Sequence, residues 1–165
     1  MDILFSEIDQ TGIIKLNRPK ALNALNLEMA KKFYDKLLEW EENNNISRVI
    51  LYGEGKHFCA GGDVKSLVLA GKKNQLKYDF FKIEYQLNYL ISRFSKEFLS
   101  IWNGVVMGGG VGLSIYGDHR LVTDNSKFAM PEASIGFFPD VGGSYFLSNL
   151  PGNIGKYVGL TGDVL

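Results

Sequence analysis

The sequence is poor in the residues that several kinds of site require. It has one cysteine, Cys59, and two histidines among 165 residues. A single thiol forms no internal disulfide. Together with two imidazoles it is thin material for a zinc centre, which takes three or four Cys, His or carboxylate ligands. No metal is expected. Charge of one sign is not in excess either, because eighteen Lys and Arg balance eighteen Asp and Glu. The basic stripe of a nucleic-acid binder and the charge block of a disordered acidic tail are both missing. The opening MDILFSEID carries neither a basic, apolar secretory signal nor an Arg/Ser-rich transit peptide. The expectation is an intracellular protein with no nucleic-acid or membrane partner.

What is present suits one α/β domain, or part of a larger one. A hydrophobic share of 45% with 22% charged residues can build a sizeable core with a soluble surface. No internal repeat or linker divides the chain. Nineteen glycines exceed the usual ~7%. Six of them, Gly104, Gly108, Gly109, Gly110, Gly112 and Gly117, are crowded together. They follow no period, so they are local backbone devices.

Local patterns give an order of elements. Residues 3–9 and 12–17 are β-prone and form a hairpin with its turn at Gln10–Thr11, near Gly12. Asn26 is placed to cap a helix over about 27–42, with Glu28 in its first turn. RVILYG at 48–53 is a continuous apolar run of the kind found in buried parallel strands. Leu76, Phe80, Ile83, Leu87, Leu90, Ile91 and Phe94 set a helical period over about 75–95, with Glu84 on the flank of that stripe. Residues 98–117 hold no charged side chain, a length that could span a bilayer. Asn103 and the glycines break its apolar density, so it is assigned a buried strand, a glycine turn and a buried helix from about 109. Strands are expected near 119–123 and 127–130. Alternating helices and strands define the α/β class.

Familiar catalytic patterns fail on inspection. There is no Gly-x-x-x-x-Gly-Lys-Ser/Thr loop, Gly108–Gly112 lacks the dinucleotide spacing, and Ser114 and Ser144 sit in no Gly-x-Ser-x-Gly elbow. Cys59 reads as a buried small thiol rather than a nucleophile. Three segments keep chemical interest. His57-Phe58-Cys59-Ala60-Gly61-Gly62-Asp63 and Gly104–Gly110 each put small residues after an apolar strand, at the sheet edge where α/β proteins bind ligands. Backbone N–H groups converging there would form an oxyanion hole; tight turns are the structural alternative. Met130-Pro131-Glu132 through Phe138-Pro139-Asp140-Val141-Gly142-Gly143 sets two carboxylates among apolar neighbours. That raises pKa and suits acid–base work, unless Glu132 is exposed and Asp140 caps a helix.

These segments, in this order and together with Asn17-Arg18-Pro19-Lys20-Ala21-Leu22-Asn23-Ala24-Leu25, resemble the enoyl-CoA hydratase/isomerase (crotonase) superfamily over nearly the whole chain. The resemblance implies a spiral of ββα units with two roughly perpendicular sheets. It also implies that 1–165 is the N-terminal core of a longer enzyme whose C-terminal helical part is missing. The implied substrate is an acyl-CoA thioester, with coenzyme A as part of the substrate and no separate cofactor. By resemblance, Lys20, Ala24, Leu25, Ala60 and Asp63 contact CoA, with Lys20 or Arg18 near its phosphates. Gly62 and Gly109 supply the oxyanion hole, Glu132 and Asp140 are catalytic, and Glu84 lines the acyl pocket. Family hydratases hold water with two glutamates, and the second would fall at 112, which is glycine here. MGGGVGLS, IGFFPDVGG and FFKIEYQLN are instead similar to the branch that hydrolyses 3-hydroxyisobutyryl-CoA in valine breakdown. Isomerase or hydratase chemistry on the same fold is the alternative, and a non-catalytic acyl-CoA-binding protein is the other. A homo-oligomer is compatible with the resemblance, though a trimer is not required. The family points to mitochondria, and the lack of a clear transit peptide leaves the cytoplasm open.

Overall fold

A computed structural model describes residues 1–64 and 74–165. Strands β1 (Ile3–Ile8) and β2 (Thr11–Leu16) form the expected hairpin. Its turn is Asp9–Gln10, one residue earlier than the sequence suggests, with Asp9 at φ 52°. Gly12 therefore lies within β2 and serves packing instead. A Cβ there would come within 2.8 Å of the Trp40 ring. Helix α1 (Leu27–Glu42) starts where Asn26 accepts a hydrogen bond from the Met29 N–H, a conventional N-cap. It buries Met29, Ala30, Phe33, Leu37 and Trp40 along one stripe.

Strand β3 (Arg48–Gly53) is the predicted parallel strand and runs beside β2. Helix α2 (Asn74–Arg93) matches the helical period; of that pattern, the Leu76 side chain lies outside the described residues. The uncharged stretch is divided between two strands rather than forming one. These are β4 (Glu97–Trp102) and β5 (Val105–Met107), followed by a single helical turn, α3 (Gly109–Gly112). The break falls at Gly104, whose φ of 57° suits glycine. Strands β6 (His119–Val122) and β7 (Lys127–Ala129) follow. A 3-10 turn at Pro131–Ile135 leads to α4 (Gly143–Ser148) and α5 (Ile154–Thr161). Among the described residues no helix is long and apolar enough to cross a membrane.

Two sheets result. The larger has order β1-β2-β3-β4-β6, antiparallel at the hairpin and parallel elsewhere; the smaller pairs β5 with β7 in parallel. The smaller sheet is extended by single parallel bridges, Cys59 to Val106 and Leu25 to Gly62. Each turn of the chain thus lays one strand in the large sheet and then a short rung in the small one. The rungs are Leu25, Cys59–Gly62, β5 and β7. This stepwise stacking, with helices between the turns, is the spiral of ββα units that the resemblance implies. It brings Gly62, the last residue of its rung, and Gly109, two residues past β5, to the same end of neighbouring turns.

Candidate active site

The site grows out of that stacking. The ideal Cβ position of Gly109 is 3.1 Å from the Gly62 amide nitrogen, so the two backbones touch. Neither N–H donates to another described backbone group. Two N–H groups left over at adjacent rungs are the arrangement that can receive one oxygen. Gly108, at φ 49°, turns the chain between β5 and α3 and lets the backbone pass close to Glu132. A Cβ at Gly108 would lie 2.7 Å from the Glu132 Oε1.

A cleft of about 460 Å³ opens in front of these glycines. Phe80, Phe81 and Phe137 form apolar walls, while Glu84, Glu132 and Asp140 reach in from α2, the 3-10 turn and the loop before α4. Its size suits a small ligand group. Glu84 is 2% and Glu132 is 7% exposed, so neither is the solvated edge residue that its local sequence allowed. One oxygen of each, Oε1 of Glu84 and Oε2 of Glu132, is buried with no hydrogen-bond partner. Burial is the first cause of their behaviour. It pushes the Glu84 carboxyl up to about 8, helped by the charges of Asp140 and Glu132. Burial also pushes Glu132 up to about 7, helped by Asp140. Asp140 is raised by burial too, but the Tyr85 hydroxyl donates to its Oδ2 at 2.7 Å and pulls it back. The three carboxyls are therefore all raised by burial, and of the three it is Asp140 that also accepts a hydrogen bond favouring its charged form, so near neutral pH Glu132 is poised and Glu84 is mostly protonated.

The residues assigned to CoA divide. Ala60 lines the cleft. Lys20 is exposed and Ala24 half-buried on the neighbouring segment. That segment is joined to the glycine strip through Leu25 N–H to Gly61 O, Asp63 N–H to Leu25 O and Ala60 N–H to Leu22 O. The Leu25 side chain is fully buried in the core, so only its backbone is available to a ligand. Asp63 accepts from Arg18 at 3.0 Å, and Arg18 also meets Asp2 and the Ala24 carbonyl. Arg18 thereby holds the segment together, and Lys20 is the better placed of the two cations for a phosphate. Cys59 is buried with its thiol pushed up to about 12, mainly by burial, so it is no nucleophile.

The glycine at 112 reflects a repacked neighbourhood. A Cβ there would meet the Val141 Cβ at 2.6 Å and the Asn88 Nδ2 at 3.0 Å. The valine and the amide fill the space into which a glutamate would project. We therefore expect Gly112→Glu to yield no hydratase and to lose about 1–3 kcal/mol of stability from overpacking. Denaturant midpoints and a hydration assay check both halves.

Sequence reasoning missed Tyr85, Lys77, Asn88 and the phenylalanine walls. The spacing of Phe80, Glu84, Leu87, Asn88 and Ile91 on one helical face could have found the walls and Asn88. Nothing local distinguishes Tyr85, whose partner lies in a distant loop.

With this geometry in hand, comparison with known proteins is direct. The model of the family described as enoyl-CoA hydratase/isomerase matches residues 11–165. The chain belongs to the enoyl-CoA hydratase/isomerase family. A relative from Danio rerio named mitochondrial 3-hydroxyisobutyryl-CoA hydrolase is 48% identical over 98% of this chain and 43% of its own length. Another member-like relative, named small ribosomal subunit protein mS47 from Neurospora crassa, is 44% identical over 99% of this chain and 33% of its own length. The crystal structure of a carnitinyl-CoA dehydratase from Mycobacterium thermoresistibile superposes with a TM-score of 0.96 at 43% identity, covering 99% of this chain and 48% of that one. The chain spans less than half the length of each of these relatives. Likeness this close over nearly the whole chain shows the family fold with its two sheets.

Proposed function

We propose that this chain carries the reacting end of a CoA thioester hydrolase acting on short 3-hydroxyacyl groups, with 3-hydroxyisobutyryl-CoA as the substrate. The observation that carries the reading is the pairing of Glu132 with Asp140 in one cleft where position 112 has no room for a second glutamate. The similarity to the Danio rerio hydrolase supports the same choice. A mitochondrial location goes with it.

In this reading the Gly62 and Gly109 N–H groups bind the thioester oxygen and stabilise the charge that builds there. Glu132, poised near neutrality, takes a proton from water as it adds to the carbonyl carbon. Alternatively its carboxylate adds directly, giving a mixed anhydride that water then opens. Either route expels the CoA thiolate and leaves the free acid. Asp140, oriented by the Tyr85 hydroxyl, holds the substrate 3-hydroxyl or positions the water. Mostly neutral Glu84 closes the acyl end of the pocket. Lys20 and the backbone around Ala24, Leu25, Ala60 and Asp63 face the CoA portion.

The test is thiol release from 3-hydroxyisobutyryl-CoA, run beside a thioester of the same size without the hydroxyl. Faster release from the hydroxylated substrate is expected. Conversion without thiol release would instead mean isomerase or hydratase chemistry. The family core also occurs in a protein named for the small ribosomal subunit, which supports a second, non-catalytic reading. In that case neither thiol release nor any other acyl-CoA conversion would be seen.

A further inference from the structure

The turn that carries Asp140 is held in an unfavourable conformation. Val141, the next residue, has a φ of 45°, and a β-branched side chain rarely adopts that region. Gly142 follows at φ 80° and opens α4. Two tyrosines grip this turn from different sides. The Tyr116 hydroxyl donates to the Val141 carbonyl at 2.8 Å and fixes the backbone. The Tyr85 hydroxyl donates to the Asp140 Oδ2 at 2.7 Å and fixes the carboxylate itself. Tyr85 belongs to α2, one residue after Glu84. Its ring sits against Phe81 at 5.9 Å between centroids, and Phe81 in turn stacks on Phe137 of the cleft wall. The helix that delivers Glu84 thus also orients Asp140.

Resting on the hydrolase reading above, the geometry points to Tyr85 as a positioning residue that acts through Asp140, locking its carboxylate towards the substrate. The reason is a competition for charge. Among the described residues the charged and titratable groups that line the cleft with Asp140 are Lys77 and Glu84 of α2 and Glu132 of the 3-10 turn, and Tyr85 of α2 donates to it, while Tyr116 and Tyr145 lie beside Val141 and Gly142 on the other side of the loop. Two of these are carboxyls sharing the cleft with Asp140, and close carboxylates resist ionising together. The hydrogen bond from Tyr85 favours the charged form of Asp140 alone. Glu84 and Glu132 each keep a buried oxygen with no such partner. Without the phenol, Asp140 would lose that advantage and its orientation would be free to drift.

The experiment uses Tyr85→Phe in the 165-residue chain. Tyr85 is 40% exposed and phenylalanine keeps the ring contact, so the variant should fold, as a thermal melt will show. Aspartates labelled with ¹³C at the carboxyl are titrated by NMR, and Asp140 is assigned by the signal missing from Asp140→Asn. In Tyr85→Phe the Asp140 midpoint should move to higher pH, while in Tyr116→Phe it should move less. An unchanged midpoint in Tyr85→Phe, an equal movement in both variants, or failure of Tyr85→Phe to fold would each overturn the role. Where thiol release is measurable, kcat should drop about tenfold with KM little altered. A midpoint that moves in a chain releasing no thiol would leave the positioning intact and remove the hydrolase reading.

Discussion

Replacing Glu132 by glutamine should reduce thiol release about a thousandfold while leaving acyl-CoA binding within a few-fold of its starting value. Glutamine preserves shape and volume inside a pocket where Glu132 is buried, so the cleft keeps its walls. What disappears is a group that can accept a proton or attack carbon, and an amide does neither at useful rates. The loss should fall on kcat, with KM nearly constant, because the interaction is made in the transition state. The pH dependence supplies a second signature. Glu132 is pushed up to about 7 and must be ionised to act. Activity of the unaltered chain should therefore climb as pH rises through that value and fade below it, and the residual rate of the variant should lack that step. Stopped assays for free thiol and a calorimetric titration with a non-hydrolysable CoA thioether measure the two quantities. Full activity in the glutamine variant would remove Glu132 from the reaction.

Alanine at Gly109 should lower the rate about a hundredfold or more. The added methyl would stand 2.3 Å from the Glu84 Oε1 and 3.1 Å from the Gly62 nitrogen, in the space between the two N–H donors. The buried carboxyl has to swing away, and the thioester oxygen can no longer approach both donors. Both effects act on the transition state, and the helical turn at Gly109–Gly112 has backbone angles that alanine can adopt. The protein should therefore melt as a folded domain while turning over slowly. An alanine variant with ordinary turnover would place the oxyanion elsewhere.

The outline of this site was legible because the spiral repeats a simple device. An apolar strand followed by small residues occurs at RVILYG with Gly61–Gly62 and again at EFLSIW with Gly108–Gly109. The carboxylates were visible through their uncharged surroundings, although only the resemblance drew Glu84 into the pocket. Sequence did not reveal that residues 98–107 change sheets at Gly104, because both strands are equally apolar and only the backbone angle separates them. It misplaced Gly12 in a turn because packing under an indole leaves no local trace. Leu25 was expected at a ligand, but the alternation that points its neighbours outward buries its side chain. Tyr85 was invisible for a more general reason. Its meaning depends on a loop 55 residues away, and no periodicity reports a contact at that separation.

The single cysteine has a practical side as well. Cys59 sits in the rung that joins β3 to the smaller sheet, with its sulfur fully covered and its proton tightly held. Colorimetric disulfide reagents react with thiolates, so in the native chain they should count only the CoA set free and nothing from the protein. The same silence turns Cys59 into a clock: labelling can proceed only when the Cys59–Val106 rung parts. The slow rate at which the label enters would then time the opening of the layer on which the two oxyanion donors are mounted.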